Sequence, residues 1–525
     1  MVSCLCVGLL GCGADEPRNR LLCRKEERSG TRTSFGIMQQ SGGRLNTEVL
    51  LGSDEIKPPR GSLLDDGESE PPGCIDGPAI TGSLALVNAA LGAGVLAYPF
   101  AFMSAGMVAG NIVTMVMGVL CFCTLCIVMH SMATMQERYG ANAVRSYGEL
   151  VKLGLGNRAA VALEVMIIFY MFGACVGYLE VLEDVFNGFE FTSNSTLHTK
   201  WGKTGLNKEM ADIIALAGAA ILCFGLSTLR DISSLKYSAA AAVLAVLFTV
   251  GTLVYQAILH PCTPSSCKDE TGQPGWTPGE PGVTALPRSL KDLIKALPLI
   301  CFAMQCHIQC AAAYCEMPAR IRRSVPKRRG VAIMAIVLIL ALYFPAGISG
   351  FVRFGDATNA DILYNFNLND YAADIAKVCM GLTALSAFPC QHYPARHIIH
   401  KVWISLCAPV ERSTATNMAG TLDTPAAPPA MSATFAVVEA FVWTAVVLVV
   451  TIGAMIAGIH LDLVFQLIGA ICGSTVILII PGFLWARHGT GSAVGRLIPA
   501  VGLSATGLFI LGAGTFVTLQ EMMEK

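Results

Sequence analysis

Charge is what this sequence has least of. Asp, Glu, Lys and Arg make up 14% of its 525 residues, against about 25% in an ordinary soluble domain. The two signs nearly cancel, 36 Lys and Arg against 37 Asp and Glu, so the chain carries no basic footprint for nucleic acid and that partner is excluded. Hydrophobic residues reach 54% and the mean hydropathy is +0.58, which excludes a soluble globular composition and points to a polytopic protein of the lipid bilayer. Catalytic signatures are missing as well: there is no HExxH, GxSxG or phosphate-binding loop, which argues against an embedded enzyme. Nor is there an arginine ladder of the voltage-sensor kind. No resident cofactor is expected.

Cysteine, by contrast, is plentiful, with 20 residues. Most lie inside apolar runs, such as Cys121, Cys123, Cys126, Cys175, Cys223 and Cys472, where a thiol behaves as a small buried hydrophobe. Cys262 and Cys267 differ. They fall in a Pro/Gly-rich polar loop and are candidates for a disulfide in an oxidising compartment.

Residues 1–76 are polar and rich in Gly, Ser, Arg and Glu, too poor in apolar surface to fold alone, and are expected to form a disordered tail. No basic region precedes the short apolar stretch from Cys4 to Leu10, so the first membrane helix is expected to direct insertion. From residue 77 onward, apolar stretches approach the roughly 20 residues that cross a bilayer. Eleven are expected, near 79–103, 106–133, 158–186, 209–228, 234–258, 290–315, 330–354, 371–395, 433–457, 461–485 and 496–518.

Basic residues mark the cytoplasmic loops. Arg320, Arg322, Arg323, Lys327, Arg328 and Arg329 follow the sixth stretch, and alternate loops repeat the bias with Arg138, Arg145, Lys152 and Arg158, then Arg230 and Lys236, then Arg396, Lys401 and Arg412, then Arg487 and Arg496. The opposite loops carry Glu190, Asp356, Asp361, Asp370 and Asp462, together with the 259–288 loop and the glycosylation sequon at Asn194. This pattern places the amino terminus and the Pro-rich linker 402–432 in the cytoplasm. With Glu164, Lys377 and Glu439 read as the charges within spans, away from the midplane, no carboxylate proton relay is expected.

One stretch is locally unlike a continuous helix. In Val87-Asn88-Ala-Ala-Leu-Gly92-Ala93-Gly94-Val-Leu-Ala-Tyr98-Pro99 a Gly-Ala-Gly step follows a polar Asn by one turn. Unwound backbone inside a bilayer persists only where protein, water or a solute satisfies its N–H and C=O groups, so the step points to a solute pathway. Its free N–H groups and the positive end of the following half-helix favour a carboxylate. The carboxamide oxygen of Asn88 is a hard neutral donor suited to a small cation. Close helix packing by small residues accounts for the glycines alone.

A second polar-centred helix is expected at 290–315, where Gln305, His307 and Gln309 cannot all face lipid. Cys301, Cys306, His307, Cys310 and Cys315 lack the paired spacing of a structural zinc site. The ordinary pKa of histidine also makes His307 a candidate pH sensor. In the eighth stretch Thr383 and Ser386 share a helix face, available either to an ion or to their own backbone carbonyls.

In the order and spacing of these motifs, with Cys301-Phe302, Cys306-His307, Tyr314-Cys-Glu316, Gly350-Phe-Val-Arg-Phe-Gly355-Asp356 and Tyr393-Pro394-Ala-Arg396, the chain resembles the sodium-coupled neutral amino acid transporter family within the amino acid/auxin permease group. The resemblance covers about residues 79–518. The Val-Asn-Ala-x-Leu-Gly-Ala-Gly and Cys-Phe-x-x-Gln-Cys-His forms are similar to those of the lysosomal glutamine/asparagine transporter branch. It implies an all-α, eleven-helix leucine-transporter-like fold of two inverted five-helix repeats, with the first and sixth helices broken around an amino acid substrate. Carried over by position, Asn88 and the backbone of Val87 and Ala90 would hold sodium with Thr383 and Ser386. Gly92, Ala93 and Gly94 would receive the substrate carboxylate, and Phe302 and Gln305 would complete the pocket. Ile308 and Ala313 stand where many relatives have proline, and Ala387 where some have threonine. The expected function is secondary active transport of neutral amino acids, glutamine and asparagine first, coupled to sodium by alternating access in a lysosomal or plasma membrane; the alternatives are a proton-coupled permease of the same fold and a membrane amino-acid sensor that signals through the tail.

Overall fold

A computed structural model describes residues 77–92, 94–140, 143–187, 208–228, 236–259, 282–366, 371–407 and 432–524. Asn194, Cys262, Cys267 and Ala93 lie outside the described residues, as do the tail 1–76 and linker residues 408–431. The described chain is helical. Its α-helices are α1 (Gly77–Ala90), α2 (Gly94–Ala105), α3 (Met107–Tyr139), α4 (Tyr147–Leu155), α5 (Asn157–Asn187), α6 (Lys208–Ser227), α7 (Lys236–Leu259), α8 (Leu290–Ala303) and α9 (His307–Glu316). They continue as α10 (Ala319–Arg322), α11 (Val325–Phe354), α12 (Tyr371–Cys407), α13 (Ala433–Ile456), α14 (Leu461–Ile468), α15 (Ile480–His488), α16 (Ala493–Phe509) and α17 (Thr515–Glu524).

Nine described helical segments are long and apolar enough to cross a membrane. The pair α1 and α2, bent by 66° at its break, adds a tenth if counted as one span, and a shorter apolar helix covers Asp212–Ser227. The outward faces of these helices are what a bilayer requires. On α3, Thr114, Met117, Cys121 and Leu125 are buried, whereas Ile112, Val116 and Val119 on the other face are more than half exposed. In water such a face would be an aggregation surface. In lipid it costs nothing.

Local sequence sets several boundaries. The Ser146 hydroxyl accepts from the Glu149 amide at 3.2 Å while the Glu149 carboxylate accepts from the Ser146 amide at 3.3 Å, a reciprocal cap that starts the short α4. Ser289 starts α8 by accepting from the Asp292 amide at 3.1 Å.

Two of the expected spans are not plain α-helices. Between α14 and α15 the backbone widens into π-helix at Gly469–Gly473 and Thr475–Ile479, and between α16 and α17 at Ile510–Gly514. The first and the last of these lean on α8. A Cβ on Gly469 would lie 2.0 Å from the Pro298 carbonyl oxygen, and one on Gly514 would lie 2.7 Å from the Pro298 ring. Only glycine permits so close an approach, and π-bulges concentrate at such contacts.

Three contacts tie helix ends that are distant in sequence and carry basic residues. Arg322 donates to Gln136 at 3.4 Å, Lys401 donates to Glu164 at 2.6 Å, and His488 meets the Gly154 carbonyl at 3.0 Å. Elsewhere Arg288 pairs with Asp356, Lys291 with Glu524 at 3.2 Å and Lys295 with Glu521 at 2.9 Å.

The expected charge inventory needs two corrections. First, Arg396 is not a loop residue, because α12 runs through Pro389 and Pro394 to Cys407. Its guanidinium is buried, with Nε donating to Glu439 at 2.9 Å and a terminal nitrogen donating to the Ser227 carbonyl at 2.5 Å. The other Glu439 oxygen pairs with His392 Nε2 at 2.8 Å. A carboxylate cost that isolation would make prohibitive is offset by this pairing. Second, α5 carries Glu180, Glu183 and Asp184 before its end at Asn187, and Glu180 Oε2 is buried without a hydrogen-bond partner.

Near that acidic end, Asp361 accepts from the Leu363 amide at 2.9 Å and starts a short 3₁₀ turn, Ile362–Asn365. Burial pushes its carboxyl up to about 6, against the opposing pull of the Leu363 amide and the Lys377 ammonium. The unfolded value is about 4, so the folded state binds this proton more tightly. The associated stability is complete below about pH 4 and is lost as pH rises through about 6. Asp361→Asn keeps a capping side chain, and its melting temperature in detergent should be flatter than the wild type's across that window.

Candidate functional site

The first segment is broken at the Gly-Ala-Gly step, and the polar-centred segment is interrupted as the resemblance implies. α1 ends at Ala90, α2 resumes at Gly94, and within the gap the Leu91 amide donates to the Val87 carbonyl at 2.8 Å and the Val95 amide to the Gly92 carbonyl at 3.2 Å. α8 ends at Ala303 and α9 resumes at His307, with Met304-Gln305-Cys306 between them. This broken span, Leu290–Glu316, is the most buried of the nine.

The two breaks touch. A Cβ built on Gly94 would lie 3.0 Å from Ala303 Cα and 3.1 Å from its Cβ, so Gly94 is the residue that lets the backbones meet. On Gly92 a Cβ would meet only the Tyr178 hydroxyl, at 2.9 Å. Around this junction the first helix offers the N-terminus of α2, whose positive dipole end and free amides suit an anion. The ends of α1 and α8 offer carbonyls. One such carbonyl at each break, Ala90 and Ala303, receives the Tyr343 hydroxyl, at 2.8 and 3.0 Å.

Polar side chains at the second break are buried and incompletely used. Gln305 is 1% exposed, and its Nε2 has no hydrogen-bond partner. His307 is fully buried, and its Nε2 lies 2.8 Å from the Thr124 hydroxyl oxygen. That hydroxyl directs its own hydrogen to the carbonyls of Leu120 and Cys121, so Nε2 is the donor and Nδ1 is left as an acceptor. Nδ1 has no partner, and neither has Gln309 Oε1. Buried polar atoms are normally satisfied, each orphan costing about 1–3 kcal/mol. Three such orphan atoms occur within five residues of this helix break.

Phe302 packs rather than opens onto space. Its ring stacks on Phe465 at 4.2 Å and tilts against Tyr170 at 5.5 Å, whose hydroxyl donates to the Phe302 carbonyl at 3.4 Å. It forms an aromatic wall beside the break.

The expected ion ligands divide into two groups. Asn88 is half-buried and Val87 and Ala90 are buried together on the last turn of α1. Thr383 and Ser386, on α12, donate to the Cys379 carbonyl at 2.8 Å and the Thr383 carbonyl at 3.0 Å, which is the back-bonded arrangement. α12 packs chiefly on α5, α6 and α7. Among the described residues no hydrogen bond joins these hydroxyls to α1, and no cluster of three or more His, Cys, Asp or Glu is disposed to hold a metal ion.

Tyr98, Tyr170, Tyr178, Tyr343 and Phe465 surround the junction without having stood out in the sequence. Their only sequence signal is an aromatic on an apolar helix, which packing alone also explains.

A sequence profile described as transmembrane amino acid transporter protein matches residues 76–515. The chain is 29% identical over 375 residues to sodium-coupled neutral amino acid transporter 7 of Bos taurus, covering 70% of this chain and 74% of the relative. With the Homo sapiens protein of the same name the identity is 28% over 319 residues, 61% of this chain and 63% of the relative. With vacuolar amino acid transporter 2 of Saccharomyces cerevisiae it is 22% over 408 residues, 76% and 74% of the two chains.

Proposed function

Because the chain belongs to the transmembrane amino acid transporter protein family, whose profile covers residues 76–515, we propose that it moves neutral amino acids across a membrane by alternating access. Glutamine and asparagine are the favoured substrates, and sodium the coupling ion. The family and the relatives named above are transporters rather than enzymes. The observation that carries the reading is the contact of two helix breaks beside uncommitted polar atoms.

A zwitterionic amino acid needs an anion site for its carboxylate, which the N-terminus of α2 supplies around Gly92 to Gly94. A carboxamide side chain needs both a donor and an acceptor. Gln305 Nε2 is a free donor, and His307 Nδ1 and Gln309 Oε1 are free acceptors, the complement of a glutamine or asparagine side chain. Asn88, with the carbonyls at the end of α1, forms the half of an ion site that stays on one helix; the α12 hydroxyls would have to turn from their own backbone to close it.

The topology follows the same reading. The nine long spans, the α1–α2 pair and the 212–227 helix make eleven crossings, arranged as two inverted five-helix repeats plus one. Their basic ends lie in the cytoplasm with the amino terminus. The vacuolar relative supports a lysosomal setting.

A proton-coupled reading is favoured by one observation, the unpartnered Glu180 carboxyl oxygen within α5, since intramembrane carboxyls commonly carry protons. Purified full-length protein in proteoliposomes separates these readings. Glutamine counterflow driven by sodium and lost in choline supports sodium coupling. Counterflow indifferent to choline but driven by a pH gradient supports protons, and no flux of any neutral amino acid overturns the transporter reading. In the same assay Asn88→Ala should raise the sodium concentration for half-maximal uptake by about tenfold or more, from loss of one direct ligand; an unchanged sodium dependence would remove Asn88 from the ion site.

A further inference from the structure

Tyr343 is a fully buried residue on α11, a helix that packs against α1, α2, α3 and α7 and contributes none of the residues assigned above to substrate or ion. Its hydroxyl lies 2.8 Å from the Ala90 carbonyl, the last residue of α1, and 3.0 Å from the Ala303 carbonyl, the last residue of α8. A Cβ on Gly94 would come within 3.5 Å of the same oxygen. The ring is fixed from the other side by stacking on Tyr98 at 4.5 Å, and Tyr98 is in turn anchored by its hydroxyl on Thr114 at 3.0 Å.

A phenol has one hydrogen to give, and here two carbonyls compete for it. Both stand at the negative ends of half-helices, where a donor has most to neutralise. The two ends are therefore coupled through a single proton. Movement of the Ala303 end away from the ring leaves the hydrogen to Ala90, and recruitment of the Ala90 carbonyl by a cation leaves the hydrogen to Ala303.

We infer that Tyr343 is a positioning residue that links the cation end of the first broken helix to the substrate end of the second, by sharing one hydroxyl hydrogen between the carbonyls of Ala90 and Ala303. The inference rests on the coupled-transport reading above and adds to it the device through which cation and amino acid sense each other. Such a link is a coupling free energy and is reciprocal, so cation tightens amino acid binding by the same factor as amino acid tightens cation binding.

The test is the ratio of half-saturating glutamine at low and at saturating cation, measured on reconstituted full-length protein with sodium and separately with protons. Tyr343→Phe keeps the ring and its stacking and removes only the shared hydrogen. Its ratio should fall toward one, by about threefold or more. Tyr98→Phe removes a neighbouring hydroxyl that touches neither break, and should keep the wild-type ratio.

A Tyr343→Phe ratio equal to wild type overturns the inference and leaves coupled transport standing. Equal loss in both variants also overturns it, because general loosening of the core would then be the cause. A wild-type ratio of one for both cations removes the coupled-transport reading itself. Should Tyr343→Phe not reach the membrane, 3-fluorotyrosine at position 343 keeps the shape and makes a stronger donor; a raised ratio supports the link and an unchanged one overturns it.

Discussion

Gly94→Val is expected to abolish uptake while the protein still inserts in the membrane. The reason is where the first added carbon would go: 3.0 Å from the backbone Cα of Ala303 and 3.1 Å from its Cβ. A flexible side chain can swing out of the way, but backbone at the end of α8 can give only by parting the two breaks. Valine adds two further methyl groups to that conflict. Overpacking of this kind costs about 1–3 kcal/mol in stability, which a large membrane bundle tolerates. Displacement of the half-helix ends by even about 1 Å is enough to lower a rate that depends on their alignment by ~100-fold. Gly94→Ala is the graded comparison, because it brings the same Cβ against Ala303 without the two further methyl groups. It should lose far less. Surface expression with glutamine flux measured per molecule checks both, and equal flux in Gly94→Val and wild type would show that the breaks need not touch.

The second large effect is on stability. Arg396→Met leaves Glu439 buried with only His392 for a partner, and leaves the Ser227 carbonyl without its donor. Side-chain exposures of 4% for Arg396, 8% for Glu439 and 1% for His392 exclude rescue by water. Breaking a buried pair from one side costs about 3–5 kcal/mol, so little folded protein should be recovered. Replacing both partners is a different experiment. Arg396→Met with Glu439→Leu removes the uncompensated charge, and apolar replacements of buried pairs are often neutral or better. The double variant should therefore melt well above the single one. If the single and double variants melt together, the ionic contact is not what holds α12 to α13.

Much of the frame was legible beforehand. The first break was marked by its glycines, whereas composition gave the second segment only a polar centre and the resemblance alone implied that it is broken. Arg396 reads as a loop residue because a proline stands two residues before it, yet α12 absorbs both of its prolines. Glu180 has little sequence signal, since it stands near the end of an apolar run, where charge is usually solvated. The π-helices had no sequence mark beyond glycines in two of the three, and glycines serve equally for ordinary packing.

Sequence by itself determined that this chain lives in a bilayer and that its first apolar stretch is interrupted at Gly92 to Gly94, since both follow from local hydropathy and backbone freedom. Only the tertiary structure decided that the interruptions meet at Gly94 and Ala303, that one tyrosine hydroxyl serves both, and that Arg396 answers Glu439. Residue 343 lies 253 positions from Ala90 along the chain. A tyrosine that packs and a tyrosine that bridges have the same neighbours in sequence, and differ only in what the fold brings to the far end of the ring.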